Sequence, residues 1–386
     1  MRVTFVTFEY PPFVQGGAGV YAASLTRELA KLGHEVTVLA LGEESGDVPY
    51  VPEAGIEVRR IPGRGNTLRW VAFNAKVTKD IERSRGPERP DVVHLNSLGH
   101  LGFRDRPRGP AYVATAHHLV GELPQKAGLR LSDRAMDFSG ENGFLIQAME
   151  RLGTGLVDRI IAVSQETGDG LQRLYKVDPG RIDVVWNGVS EDGMPREAID
   201  RDAVRARLGF PPGKALLFVG RVDDPRKCLG NLIQAASGVP EASVIAVGSG
   251  DGSRARQLAK ELGMEPRLAI LGRLSQEDLW SAYVAADAHV CASRQEGFGL
   301  TIAEAMCADC PVISTEVGVA RELSGRLEAV VPVNDVPALQ EAIASTLSSC
   351  HDRSRPNRVR VPEELSWRRC AKETAASYEK AIGQER

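Results

Sequence analysis

Ala215-Leu216-Leu217-Phe218-Val219-Gly220-Arg221 is an apolar run of strand length that stops at a glycine and an arginine. Runs this short, rich in aliphatic residues and bounded by turn signals, read as buried strands. The run belongs to a series. After it come Val244–Val247, Leu268–Leu271, His289–Cys291, Val312–Ser314 and Ala329–Val331, separated by longer helical patterns. Before it come Val3–Thr7, Glu35–Leu39, Glu57–Ile61, Val92–Leu95, Tyr112–Ala116, Arg159–Val163 and Asp183–Val185. Strands alternating with helices predict parallel sheets covered on both faces, an α/β class.

The alternation breaks at Asn187-Gly188 and the polar stretch Ser190 to Asp202. This divides the chain into residues 1–188 and 189–366, two Rossmann-like units in tandem. A last helix, Trp367 to Ile382 within 367–386, is expected to return to the first unit. It follows His351 to Pro362, read as a crossing linker with solvated Arg353, Arg355, Arg358 and Arg360. The first helix is expected at Val20–Lys31, where Tyr21, Leu25 and Leu29 repeat at helical spacing and Gly33 ends the pattern. Sheets of this kind bind ligands beyond the carboxyl ends of their strands. Two such edges facing each other would form one deep cleft.

Composition narrows the partners. The 386 residues exceed one ordinary core, and 42% apolar residues, 26% charged residues and a net charge of −3 fit a soluble globular protein with no nucleic-acid partner. No apolar run reaches membrane-spanning length, and Met1 to Phe8 reads as a strand rather than a leader, so a cytoplasmic protein is expected. Six cysteines do not form a disulfide framework. Cys307-Ala308-Asp309-Cys310 has redox or zinc spacing, but no second Cys pair or His completes it, and packed thiols at a helix-to-strand junction are expected.

Three strand ends carry candidate chemistry. Ala215–Val219 leads to Arg221 and, past Asp223, Asp224 and Pro225, to Lys227; a forked guanidinium and an ammonium there suit a diphosphate. Glu296-Gly297-Phe298-Gly299-Leu300-Thr301-Ile302-Ala303-Glu304 places two carboxylates across a strand-to-helix turn. The N–H groups at a helix start near Thr301 suit a phosphate, Glu296 would face a sugar, and Glu304, a turn into the helix, ribose hydroxyls. Glu9-Tyr10-Pro11-Pro12 and Gly16-Gly17-Ala18-Gly19 precede the first helix, and Tyr112–Ala116 delivers His117-His118 to the same edge. Neither glycine cluster, Gly16–Gly19 nor Gly248–Gly252, has the spacing of a dinucleotide fingerprint, which argues against a nicotinamide or flavin cofactor.

Together with Gly33-His34-Glu35-Val36, Val163-Ser164, Asn187-Gly188-Val189, Leu271-Gly272-Arg273 and Pro311-Val312-Ile313, these motifs resemble the retaining GT-B glycosyltransferases of the family 4 group, relatives of glycogen synthase and of bacterial mannosyl- and glucosyltransferases. The resemblance runs nearly end to end. It implies a GT-B fold whose parallel sheets face an interdomain cleft, and transfer of a hexosyl group from a UDP-, GDP- or ADP-linked donor to a small-molecule or glycan acceptor, with no cofactor and no metal. Arg221 and Lys227 would hold the diphosphate, Glu304 the ribose, and the backbone near Arg273 and Leu274 the base, with Phe298, Gly299, Leu300 and Thr301 as further donor-binding candidates. Glu296 and His117 would act at the donor sugar, with Gly16, Gly17 and Gly19 approaching the diphosphate. The chain departs from the family pattern in three places: five residues separate Arg221 from Lys227, Cys228 stands where Gly or Asn is common, and His118 stands where Asp is common.

Acceptor contacts are expected from Glu9 and Tyr10, and from Arg130 and Arg134 in the long charged connection Gly121 to Gly140. Asp200-Arg201-Asp202 has metal-site spacing but reads as a solvated helix start. Over Leu68 to Ile81, Trp70, Phe73, Val77 and Ile81 oppose Leu68, Ala72 and Ala75, with burial expected over a peripheral membrane contact. The rival activities are a nucleotide-sugar epimerase on the same fold, which would need acid/base groups such as His117, Glu9 and Glu296, and a non-catalytic nucleotide-sugar-binding subunit.

Overall fold

Seven parallel strands, β1 (Arg2–Thr7), β2 (Glu35–Gly42), β3 (Ile56–Pro62), β4 (Val92–Leu95), β5 (Ala111–Ala116), β6 (Arg159–Ala162) and β7 (Ile182–Val184), form one sheet in the order β3-β2-β1-β4-β5-β6-β7. Six more, β8 (Lys214–Val219), β9 (Ala242–Val247), β10 (Leu268–Gly272), β11 (Ala288–Cys291), β12 (Val312–Thr315) and β13 (Ala329–Val331), form a second in the order β10-β9-β8-β11-β12-β13, again parallel. This computed structural model describes all residues except 15, 43–54, 63–66, 85, 87–88, 100–105, 123–142, 196, 350–358 and 384–386, and omits the side chains of 62, 67–71 and 143–146. Every strand expected from the sequence is present, several longer by a few residues.

The described helices are α1 (Gly17–Lys31), α2 (Thr67–Arg83), α3 (Gly143–Leu156), α4 (Gln165–Tyr175), α5 (Arg201–Leu208), α6 (Leu229–Ser237), α7 (Ser253–Glu261), α8 (Gln276–Ala285), α9 (Leu300–Cys307), α10 (Val336–Ser349) and α11 (Trp367–Gly383). Contacts divide the chain into two compact units, Met1–Gly188 with Glu364–Arg386, and Val189–Glu363.

In the first unit successive strand residues face opposite sides, as the pleat requires. Phe5 and Val38 pack with Leu25 and Leu29 of α1 and Trp367 and Tyr378 of α11, whereas Val6 and Leu39 pack with Phe73, Val77 and Ile81 of α2. The apolar side of α2 is therefore core, while Ala72, Ala75 and Lys76 are exposed. Among the described residues no helix is long and apolar enough to cross a membrane. Helix α1 begins at Gly17 rather than at the expected Val20. The residue before its first turn, Gly16, is fixed by the Glu9 carboxylate, which accepts from Gly16 N (3.0 Å).

In the second unit Leu216 and Phe218 of β8 pack with Leu232 and Ile233 of α6 and Ile343 of α10. Asp200 caps α5, accepting from Asp202 N and Ala203 N (3.0 and 3.1 Å), so its carboxylate is committed to a helix start. Cys307 and Cys310 are buried free thiols between α9 and β12.

Candidate functional site

The order of the second sheet reverses between β8 and β11. Loops leaving two strands at such a point diverge and open a crevice at their carboxyl ends. β8 exits into Gly220 to Lys227 and β11 into Ala292 to Glu296, and their side chains meet. Lys227 Nζ donates to Glu296 Oε1 at 2.6 Å, and Ser293 Oγ donates to the same oxygen at 2.6 Å. Burial alone would depress the ammonium pKa, but the Glu296 carboxylate outweighs it and holds Lys227 above its ordinary value. The pair gives this edge a fixed cation beside an oriented carboxylate.

A second cluster lies on the same loop. Arg226 grips Asp224 with a fork, Nε to Oδ1 at 3.0 Å and Nη2 to Oδ2 at 2.7 Å, and Arg221 donates to that same Oδ2. Burial works to raise the Asp224 pKa, yet the Arg226 bonds and both guanidiniums pull it down to about 2. Cys228 follows with φ 52°, the left-handed region, where Gly and Asn are the easiest occupants. Its buried Sγ donates to Pro225 O at 3.2 Å, and burial pushes the thiol pKa up.

Helix α9 starts at Leu300 from Gly299, with no side-chain cap on its first turn. Phe298 is buried, so its side chain belongs to the core, and its carbonyl accepts from Val319 N at 2.8 Å. Gly318 makes that approach feasible: its φ is 53°, and a Cβ there would lie 2.4 Å from Phe298 O and 3.2 Å from Glu296 Cβ. Inside α9, Glu304 Oε2 accepts from Tyr283 O–H at 2.8 Å, and burial raises its carboxyl to about 7 against the lowering effect of that bond. Arg273 and Leu274 leave β10 just before Ser275, which caps α8 through Asp278 N at 3.1 Å.

The first sheet reverses between β1 and β4. At its carboxyl edge His117 Nε2 lies 2.8 Å from Asn96 Oδ1, while Asn96 Nδ2 donates to Thr7 Oγ1 and Ala18 O at 3.0 Å each. The His117 ring meets Tyr21 edge-on at 4.7 Å between centroids. Burial and the neighbouring His118 lower its pKa to about 3, so the imidazole is uncharged at neutral pH. Glu9 lies against α1: a Cβ at Gly19 would sit 2.9 Å from Glu9 Oε2, which explains glycine at that position. His118 is exposed.

Residues 15–192 match the model of glycosyltransferase family 4, and residues 200–359 that of glycosyl transferases group 1. The D-inositol 3-phosphate glycosyltransferase of Mycolicibacterium smegmatis is 32% identical over 423 aligned positions, covering 100% of this chain and 92% of its own. This chain belongs to glycosyltransferase family 4. Solved structures with the same fold include sucrose-phosphate synthase from Thermosynechococcus elongatus, with a TM-score of 0.70, 20% identity and coverage of 99% of this chain and 96% of that one. Anabaena HepE in complex with UDP and glucose gives a TM-score of 0.65 at 19% identity, over 98% and 95%.

On this glycosyltransferase, Arg221, Lys227, Glu296 and the start of α9 gather at the switch point of the second unit, and Glu9, Gly16, Gly19 and His117 at that of the first. Tyr10, expected at the acceptor, is instead a core residue of 1% exposure whose hydroxyl bonds Thr26 Oγ1 at 2.9 Å. Arg130 and Arg134 lie outside the described residues. Four residues of the two edges escape a reading of motifs: Asn96, Arg226, Ser293 and Gly318. Asn96 had a signal, since it follows β4 directly and so stands at the same edge as His117.

Proposed function

We propose that this glycosyltransferase transfers a hexosyl group from a UDP-, GDP- or ADP-linked sugar to an acceptor hydroxyl with retention of anomeric configuration. The observation that carries the reading is the Lys227–Glu296–Ser293 cluster beside Arg221 at a strand switch point. Lys227 and Arg221 offset the charge that builds on the leaving diphosphate, with the uncapped start of α9, a contribution of the oxyanion-hole kind. These groups supply the positive charge that a divalent ion supplies elsewhere, so the reaction runs without a metal. Glu304 takes ribose hydroxyls, the backbone at Arg273 and Leu274 the base, Glu296 sugar hydroxyls, and His117 the sugar near its anomeric carbon. The departing phosphate accepts the proton of an acceptor hydroxyl that attacks the face it leaves. By likeness to the inositol-phosphate relatives, the acceptor class is a phosphorylated polyol.

A thermal-shift screen of UDP, GDP, ADP, dTDP and their sugar conjugates tests the reading, because a ligand at 100 times its Kd adds about 2.7 kcal/mol. One nucleotide family should raise the melting temperature, and Lys227→Ala should abolish the rise. No rise with any of them would defeat the proposal. Retention is read separately, from the anomeric proton of the product formed with D-inositol 3-phosphate as acceptor.

A further inference from the structure

The bonds around Asn96 determine which nitrogen of His117 carries its proton. Ala18 O can only accept, so the Asn96 atom that faces it is the amide nitrogen, and the carbonyl Oδ1 must face His117. Thr7 Oγ1 agrees with this orientation: its own proton goes to Glu9 O at 2.9 Å, leaving a lone pair for the second Asn96 N–H. A carbonyl oxygen 2.8 Å from His117 Nε2 requires N–H there. An uncharged ring with its proton on Nε2 has a bare lone pair on Nδ1.

We propose that Asn96 is a positioning residue that locks His117 as the Nε2–H tautomer, so that the imidazole offers substrate only a hydrogen-bond acceptor. The consequence concerns substrate class and rests on the reading of His117 as a donor-sugar contact. A sugar hydroxyl can donate to Nδ1. A carboxylate in the same place would set lone pairs against a lone pair. The site therefore selects hexosyl over hexuronosyl donors. The surroundings hold the ring in this state: Tyr21 from α1 meets it edge-on with its hydroxyl bonded to Thr115 Oγ1 (3.0 Å), the neighbouring His118 adds to burial in disfavouring a charge on the ring, and Glu9 is held at Gly16 N. Asn96 itself is 4% exposed, so water does not compete for its amide.

Histidine-labelled protein tests the proposal by long-range 1H–15N correlation, with His117→Gln to assign the signal. At pH 7 the wild-type ring should be neutral, with Nε2 protonated and Nδ1 bare. Asn96→Asp puts a carboxylate on Nε2 and should carry a protonated His117 to higher pH; Asn96→Ala should leave two exchanging tautomers. Melting curves of both variants establish that they fold. A wild-type proton on Nδ1, a ring charged at pH 7, or a tautomer that survives Asn96→Ala would each overturn the lock. Selection is read from turnover of UDP-glucose against UDP-glucuronate, or the matching pair on the nucleotide that binds: the wild type should favour the glucosyl donor at least about 10-fold, and Asn96→Asp should narrow that ratio by about as much, the scale of one hydrogen bond to a charged group. An unchanged ratio would defeat the selection claim. If no nucleotide binds at all, the donor reading fails, while the imidazole spectrum still decides the lock.

Discussion

The two switch points share a topology and differ in chemistry. In the second unit the edge is charged: Lys227 is paired with Glu296, and Asp224 is bracketed by Arg221 and Arg226. In the first unit the Glu9 carboxylate is taken up at Gly16 N, and the rest of the edge is held by neutral hydrogen bonds through Asn96 to His117, Thr7 and Ala18, around a histidine that burial keeps uncharged. A crevice at a strand reversal is a property of the fold, whereas what it holds depends on a few residues just past the strand ends. On this account the charged edge handles phosphates and, through Glu296, sugar hydroxyls, while the edge at His117 offers the sugar an uncharged imidazole.

The largest effect expected is at the charged edge. Lys227→Ala removes the cation and leaves Glu296 held by Ser293, lowering kcat/KM about 100- to 1,000-fold, as loss of a preorganised charge contact does, with about 1–2 kcal/mol lost in chemical denaturation. The double variant Lys227→Met with Glu296→Gln should regain most of the stability and none of the activity. Activity that returned with stability would mean the pair is only structural, and the contrast between the edges would collapse.

A smaller effect separates stability from function at Glu304. Burial holds its carboxyl at about 7, against about 4.3 in an unfolded chain. Between those values the native state carries the extra proton, so this residue's contribution to stability falls as pH rises through the window. Glu304→Gln keeps an acceptor for Tyr283 and removes that loss. The variant should match the wild type at pH 4 and exceed it by on the order of 1–2 kcal/mol at pH 8, while binding the nucleotide about 10-fold more weakly. Equal stability at both pH values would show that the carboxyl is not held protonated.

The smallest effect concerns Tyr10. Tyr10→Phe should cost about 1 kcal/mol, one buried hydrogen bond, and leave acceptor KM unchanged. A raised acceptor KM would return this residue to the neutral edge.

Fold and site differed in legibility for physical reasons. The strands were readable because buried parallel strands are apolar on both faces, so Leu216–Phe218 or Val244–Ala246 stand out without knowledge of their partners. The start of α1 was not, because Gly17 and Gly19 read as loop residues; the cap at Gly16 is held by Glu9, across the Pro11–Pro12 turn. The burial of Tyr10 has a similar cause: its motif marks the loop, but its side chain is held by Thr26 on α1. Asn96 acts through Thr7, Ala18 and His117, a role no local pattern encodes. Arg221 and Arg226 look alike in sequence, and only the shared Asp224 tells them apart, one forked and one bound by a single contact.

The division of labour is tested most directly by titration calorimetry of the nucleoside diphosphate identified by the screen, into Lys227→Ala and His117→Ala proteins, with turnover measured on each. Lys227→Ala should lose diphosphate affinity by about 100-fold or more, whereas His117→Ala should keep it within about two-fold, under 0.5 kcal/mol, and lose turnover. Equal loss of affinity in both variants, or full affinity in Lys227→Ala, would contradict the account.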